Sequence, residues 1–177
     1  MMQTKNIAMG LFLLLAAGAS SARADSLEFM GGSTGGVNLH SVENNDTETT
    51  IGLSIGLGYF VTPQFEGFVE GTYSHYSSGG SSSSHSLAWI VGPRFNFGGA
   101  PENAFYVGGG LGEGQPSGST NHTFSWQLHA GKRFALFPNV SWAPEVQYVR
   151  VNGQSGYSYK EPHADWNIIP FRISILL

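Results

Sequence analysis

Residues 51–76 read IGLSIGLGYFVTPQFEGFVEGTYSHY, and their periodicity decides the fold. Ile51, Leu53, Ile55, Leu57 and Tyr59 share one parity, and Gly52, Ser54, Gly56 and Gly58 share the other. Strict period two is the mark of a strand with unlike faces. Val61-Thr62-Pro63-Gln64 interrupts it, and Pro63, which has no N–H for a ladder, suits a turn. A second strand then sets Phe65, Val69 and Tyr73 against Glu66, Glu70, Thr72 and Ser74. A soluble sandwich buries such an apolar face, whereas a transmembrane barrel turns it outward to lipid. The hairpin by itself allows both.

Outward from the hairpin the alternation recurs. A first strand begins near Ser26 with Leu27 and Phe29, crosses a Gly-rich stretch and resumes at Val37 and Leu39. His85 to Phe97, Ala104 to Gly112, Asn121 to Phe137, Ser141 to Val151 and Trp166 to Leu177 alternate in the same way. The last sets Ile169, Phe171, Ile173, Ile175 and Leu177 against Arg172 and Ser174. Eight strands result. Their connections alternate between polar loops (residues 41–48, 77–84, 113–120 and 153–165) and short turns at Pro63, Gly98 to Asn103 and Pro138-Asn139-Val140. Long loops at one end and short turns at the other are a feature of outer-membrane barrels. Tyr59, Phe65, Phe97, Phe105 and Trp142 lie near the turns, and Tyr73, Trp89, Trp126, Tyr148 and Trp166 lie toward the loops, as two interfacial belts require.

Export is read from the first residues. Lys5, the uncharged run from Ile7 to Ala17 and Ala22-Arg23-Ala24 make a secretory leader over 1–24, cut after Ala24. The run is shorter than the roughly 20 residues an anchor helix needs. The eight basic residues then lose Lys5 and Arg23 while all twelve acidic ones stay, a net charge of −6. Without basic runs, nucleic acid is not expected as a partner. The mature chain, 25–177, has no cysteine and therefore no disulfide.

The leader, the eight alternating strands and the closing strand resemble the OmpA/OmpX-like family of eight-stranded bacterial outer-membrane barrels. The hairpin GLGYFVTPQFEGFVEG resembles that of its surface-antigen branch. The resemblance implies an all-β, eight-stranded antiparallel transmembrane up-and-down β-barrel over 25–177 in the outer membrane. Its partners would be membrane lipid, the barrel-insertion machinery during assembly, and an extracellular ligand or host surface met by the loops. One departure concerns assembly: the family ends in an aromatic residue, and this chain ends in Leu177. A soluble lipocalin-like barrel is the alternative, and it needs the bulky parity to point inward.

Eight strands enclose an interior that side chains fill, so function is expected in the loops, as surface binding, adhesion or envelope maintenance. A narrow selective channel is the alternative, and a lipid-modifying enzyme a third. Glu66, Glu70, Arg94, Arg133, Glu145 and Arg172 all fall on the inward parity, three acids balancing three bases near the short turns. If His75 pairs with His85, Glu66 falls opposite Arg94. If Phe137 pairs with Ser141, Arg133 falls opposite Glu145, with Arg172 also in reach. Such a cluster is a structural plug or, as OmpA-like barrels imply, a gate.

His40, His75, His85, His122 and His163 map to the outer rim and His129 to the interior, without the tight spacing of a metal site. Glu43, Asp46 and Glu48 lack calcium-loop spacing. No His-x-Ser followed by a Glu is read in the arrangement that outer-membrane lipid deacylases use on their outer surface, and His85-Ser86 and His163-Ala164-Asp165 are not that arrangement. No catalytic residue, metal or cofactor is therefore assigned.

Overall fold

The computed structural model describes residues 27–33, 48–78, 84–98, 100–116, 122–152 and 163–177. The expected leader lies outside the described residues, as do His40, Glu43 and Asp46. The described residues form eleven strand segments in one sheet. They are β1 (Leu27–Gly32), β2 (Glu48–Thr62), β3 (Phe65–Ser78), β4 (Ser84–Phe97), β5 (Phe105–Pro116), β6 (Thr123–Lys132), β7 (Phe134–Phe137), β8 (Val140–Trp142), β9 (Glu145–Val151), β10 (His163–Ile169) and β11 (Arg172–Leu176).

These segments make the eight expected staves. β1 to β6 pair consecutively and antiparallel. After Arg133, β7 continues β6; β8 runs into β9 across Ala143-Pro144; and β10 runs into β11 across Pro170-Phe171. The barrel closes where β11 pairs with β8 on one side and β1 on the other. Proline explains two of the three breaks, because Pro144 and Pro170 cannot donate to a ladder. Cross-strand bonds bridge the interruptions, among them Ala143 N–H to the Arg172 carbonyl at 2.8 Å and Lys132 N–H to the Pro144 carbonyl at 3.2 Å.

The short turns close one end. At Pro63-Gln64 the Thr62 hydroxyl accepts from the Phe65 N–H at 3.0 Å. Gly98, at φ 113°, leads to a 3-10 turn over Pro101–Asn103. Pro138 is followed by Asn139 at φ 63°, which matches the residue pairing of a type II turn. Asn tolerates that left-handed conformation, so the turn closes with two residues and Phe137 pairs with Val140, not Ser141. At the other end β structure runs beyond the expected strand ends. Glu48 pairs with Ser78, Ser84 opens β4, Glu113–Pro116 belong to β5 and His163–Asp165 to β10. Backbone pairing is indifferent to side-chain polarity, so the ladder continues through residues whose side chains read as loop.

The two parities separate as a membrane protein requires. Leu53, Ile55, Leu87, Leu111, Leu128 and Ile168 are exposed on the outer wall, while Arg94, Arg133 and Arg172 are fully buried inside. A water-soluble barrel with this exterior would carry an apolar patch around its whole girth. The inward-apolar alternative is thereby excluded. Ile169 departs from its expected face: it is fully buried because the Pro170-Phe171 interruption moves the strand register by one residue, which flips the side chains before it relative to those after it. The aromatic belts are outward and in mutual contact, with Trp126–Tyr148 at 5.5 Å and Tyr148–Trp166 at 5.1 Å at the loop end, and Phe95–Phe97 at 4.9 Å and Phe134–Trp142 at 5.2 Å at the turn end.

Leu128 sits on this lipid-facing wall, opposite Gly109 and Tyr148. Leu128→Arg should destabilise the barrel by about 2–4 kcal/mol, read from urea unfolding in lipid vesicles. A cost near zero would remove Leu128 from the lipid face.

Candidate functional site

A layer of buried charge crosses the interior toward the turn end. Arg94 donates from Nη1 to Glu28 at 3.1 Å and to Glu66 at 3.0 Å. Arg133 donates from Nη2 to the same two carboxylates at 2.7 and 3.0 Å. Two acids and two bases thus form a closed square. Beside it, Arg172 spans Glu70 at 2.8 Å and Glu145 at 3.0 Å. Tyr106 joins the halves: its hydroxyl donates to Glu145 at 2.9 Å, and the Arg94 and Arg133 guanidiniums lie 4.8 Å from its ring centre. Neutral groups satisfy further oxygens. Gln147 donates to Glu145 at 2.7 Å, Ser174 donates to Glu28, and Asn96 accepts from Arg133.

Local sequence makes room for these chains. A Cβ at Gly58 would collide with the Glu66 carboxylate, and one at Gly131 with the Tyr106 phenol. Gly58 and Gly131 are therefore hollows that these long side chains occupy. Toward the loop end an apolar layer of Met30, Phe68 and Ile90 lies next to the charge. His129 lies between them, its ring edge-on to Phe68 at 5.1 Å and its Nε2 3.4 Å from Arg94 Nε.

All six residues expected inside are there, and two expected pairs form. Glu66 stands opposite Arg94 because His75 does pair with His85, and Arg172 reaches Glu145. The expected Arg133–Glu145 pair does not form. The two-residue turn at Pro138-Asn139 shifts the register by one residue and the bulge between Ala135 and Phe137 by one more, placing Gly131 opposite Glu145 and sending Arg133 across the lumen to Glu28 and Glu66. Glu28 escaped the sequence reading although it touches two arginines. Its signal was there: it alternates with Leu27 and Phe29 on the first strand. With Glu28 the layer holds four carboxylates and three guanidiniums, not three of each.

Among the described residues the histidines form no cluster that could hold a metal. His75 and His85 face each other across β3 and β4, where the His85 ring stacks on Tyr73 at 6.1 Å. His122 lies 3.8 Å from Glu113. His129 is inside, and His163 begins β10.

A closed eight-stave barrel, apolar outside and ion-paired inside, is the architecture of an outer-membrane protein. Residues 10–165 match the family model described as outer membrane protein beta-barrel domain. The chain belongs to that family. Its place is accordingly the cell outer membrane. Among solved structures it is similar to Neisserial surface protein A, with a TM-score of 0.60 and 12% identity over 85% of this chain and 95% of that one. The Yersinia pestis outer membrane protein Ail matches with a TM-score of 0.53 and 14% identity, over 88% of this chain and 100% of that one. The outer membrane enzyme PagL matches with a TM-score of 0.51 and 15% identity, over 86% and 99%. At these identities the likeness is one of fold. No curated protein matches the chain.

A buried charge stripped of one partner costs about 3–5 kcal/mol. Glu28→Ala leaves Arg94 and Arg133 sharing Glu66 alone and should destabilise by about that amount. A double-mutant cycle on Glu28 and Arg133 should return a coupling of about 0.5–3 kcal/mol, and one on Glu145 and Arg133 a much smaller one. Urea unfolding followed by heat-modifiable gel mobility measures both. Equal couplings would contradict this wiring.

Proposed function

We propose that this outer-membrane barrel works through its loops, by surface binding, adhesion or envelope maintenance, and not by passing solute. The observation that carries this is the filled lumen. Three buried arginines, four buried glutamates and Tyr106 occupy the interior together with Met30, Phe68 and Ile90. An eight-stranded interior has little space beyond its side chains. The connections between β1 and β2, β3 and β4, β5 and β6, and β9 and β10 then face the exterior and meet an extracellular ligand or host surface. Membrane lipid and the barrel-insertion machinery are its remaining partners, the latter during assembly.

At His122 the outer wall supports a non-enzymatic role. His122 has an acid neighbour in Glu113, but the next outward residues on its strand are Phe124 and Trp126, which offer no hydroxyl nucleophile. The channel alternative has one observation in its favour. The lumen toward the loops is lined by small inward residues such as Gly52, Ser54, Ala88 and Gly112, so a rearranged charge layer would leave a narrow path.

Purified protein in planar bilayers should show no unitary conductance, and neither should Arg133→Glu paired with Glu28→Arg. Protease added to intact cells should cut within the four long connections and spare Pro63-Gln64 and Pro138-Asn139. Steady conductance in the wild type would favour the channel, and cleavage only after the membrane is opened would invert the topology.

A further inference from the structure

The outer wall is not uniformly convex. A groove of about 750 Å³ crosses β3, β4, β5 and β6, within the roughly 300–1,000 Å³ usual for small-molecule sites. Its outward-facing lining is Gly67, Val91, Pro93, Gly109, Leu111 and Leu128, with Trp126 at the loop end. The hollow has a cause in the sequence. Pro93 and Gly109 fall at the one gap in the β4–β5 ladder, between the pairs Val91–Leu111 and Arg94–Gly108. Gly67 lies directly opposite Pro93, and Gly109 directly opposite Leu128. Three adjacent staves thus lack a large side chain at one level of a wall that elsewhere carries leucine, isoleucine and phenylalanine.

The groove is continuous with the lipid-facing belt, so its neighbour is hydrocarbon. Within a membrane, apolar surface alone does not select one chain over another, because lipid tails are as apolar as leucine. Retention of one particular lipid needs shape, through van der Waals contact, and a headgroup contact. The second element stands next to the groove. Arg150 is directly opposite Trp126 on the outward parity of β9. It makes no hydrogen bond or ion pair with any described residue, unlike the three arginines inside. It lies within the Trp126–Tyr148–Trp166 belt, at the level where aromatic side chains mark the interface and where a long basic side chain extends toward headgroups.

We propose that the groove and Arg150 form a binding site for one acylated lipid with an anionic phosphate headgroup, with an acyl chain in the groove and the phosphate on the Arg150 guanidinium. The pairing is a charge-assisted contact of the kind arginine makes with phosphate oxygens. It commits the occupant to an acylated anionic lipid, not to free phosphate and not to a second barrel.

The test is native mass spectrometry of the barrel released in mild detergent from vesicles of phosphatidylglycerol or of phosphatidylcholine. Wild type should retain one phosphatidylglycerol and little phosphatidylcholine. Val91→Trp, which fills the groove from the lipid side, should lose it. Arg150→Gln should weaken retention about fivefold, the worth of one basic side chain at an anionic lipid surface. Leu53→Trp, elsewhere on the outer wall, should change nothing. Leu111→Trp serves as the filling variant if Val91→Trp fails the heat-modifiable gel shift of a folded barrel. The proposal is overturned if no lipid is retained, if filling leaves retention intact, or if Leu53→Trp lowers it equally. Equal retention of phosphatidylcholine removes the role of Arg150. A dimer mass abolished by Val91→Trp gives the groove to a second copy.

Discussion

The structure depends on pairing charge inside a narrow tube. Arg94 and Arg133 each bridge Glu28 and Glu66, and Arg172 bridges Glu70 and Glu145. None of these groups reaches bulk water, and a lone charge there costs several kcal/mol. Each strand must therefore hold its place against strands far off in sequence: Glu28 is 105 residues from Arg133, and Glu70 is 102 residues from Arg172. The staves are held by backbone ladders, which tolerate register slips. Charge pairing across the lumen does not, because a slip of one residue turns a paired guanidinium toward lipid.

Glycine makes this layer affordable in volume. An eight-stranded barrel has room for long chains only where other positions give up theirs, and Gly58 and Gly131 yield to Glu66 and Tyr106. On the outer wall the same residue type has the opposite effect. Gly67 and Gly109 face lipid, where nothing from the protein fills the space they leave, and a groove results. One sequence feature, an abundance of glycine, yields tight packing on one face of the sheet and a hollow on the other.

Similarity to a surface protein, to Ail and to an outer membrane enzyme is similarity of scaffold. A bilayer demands the same of any such wall: apolar residues outward, aromatic residues at the interfaces and no open sheet edge. Those demands leave the loops and the interior free to differ. In this chain the interior was given to ion pairs.

Fold class, faces and the list of inward charges were legible in the sequence, because period two and a polar interior are local patterns. Eight staves, the two belts and six of the seven charged residues of the interior layer followed from parity alone. Glu28 is equally legible by parity, since it alternates with Leu27 and Phe29. The Glu66–Arg94 pair could also be read, since one hairpin register carries it. The wiring of Arg133 could not. It depends on whether Pro138-Asn139 closes in two residues, on the bulge between Ala135 and Phe137, on the breaks at Pro144 and Pro170, and on which staves become neighbours across the lumen. Ile169 turned inward for the same reason. Parity is a property of each strand by itself, while register is set between strands, by turns and bulges whose geometry emerges only when the barrel closes.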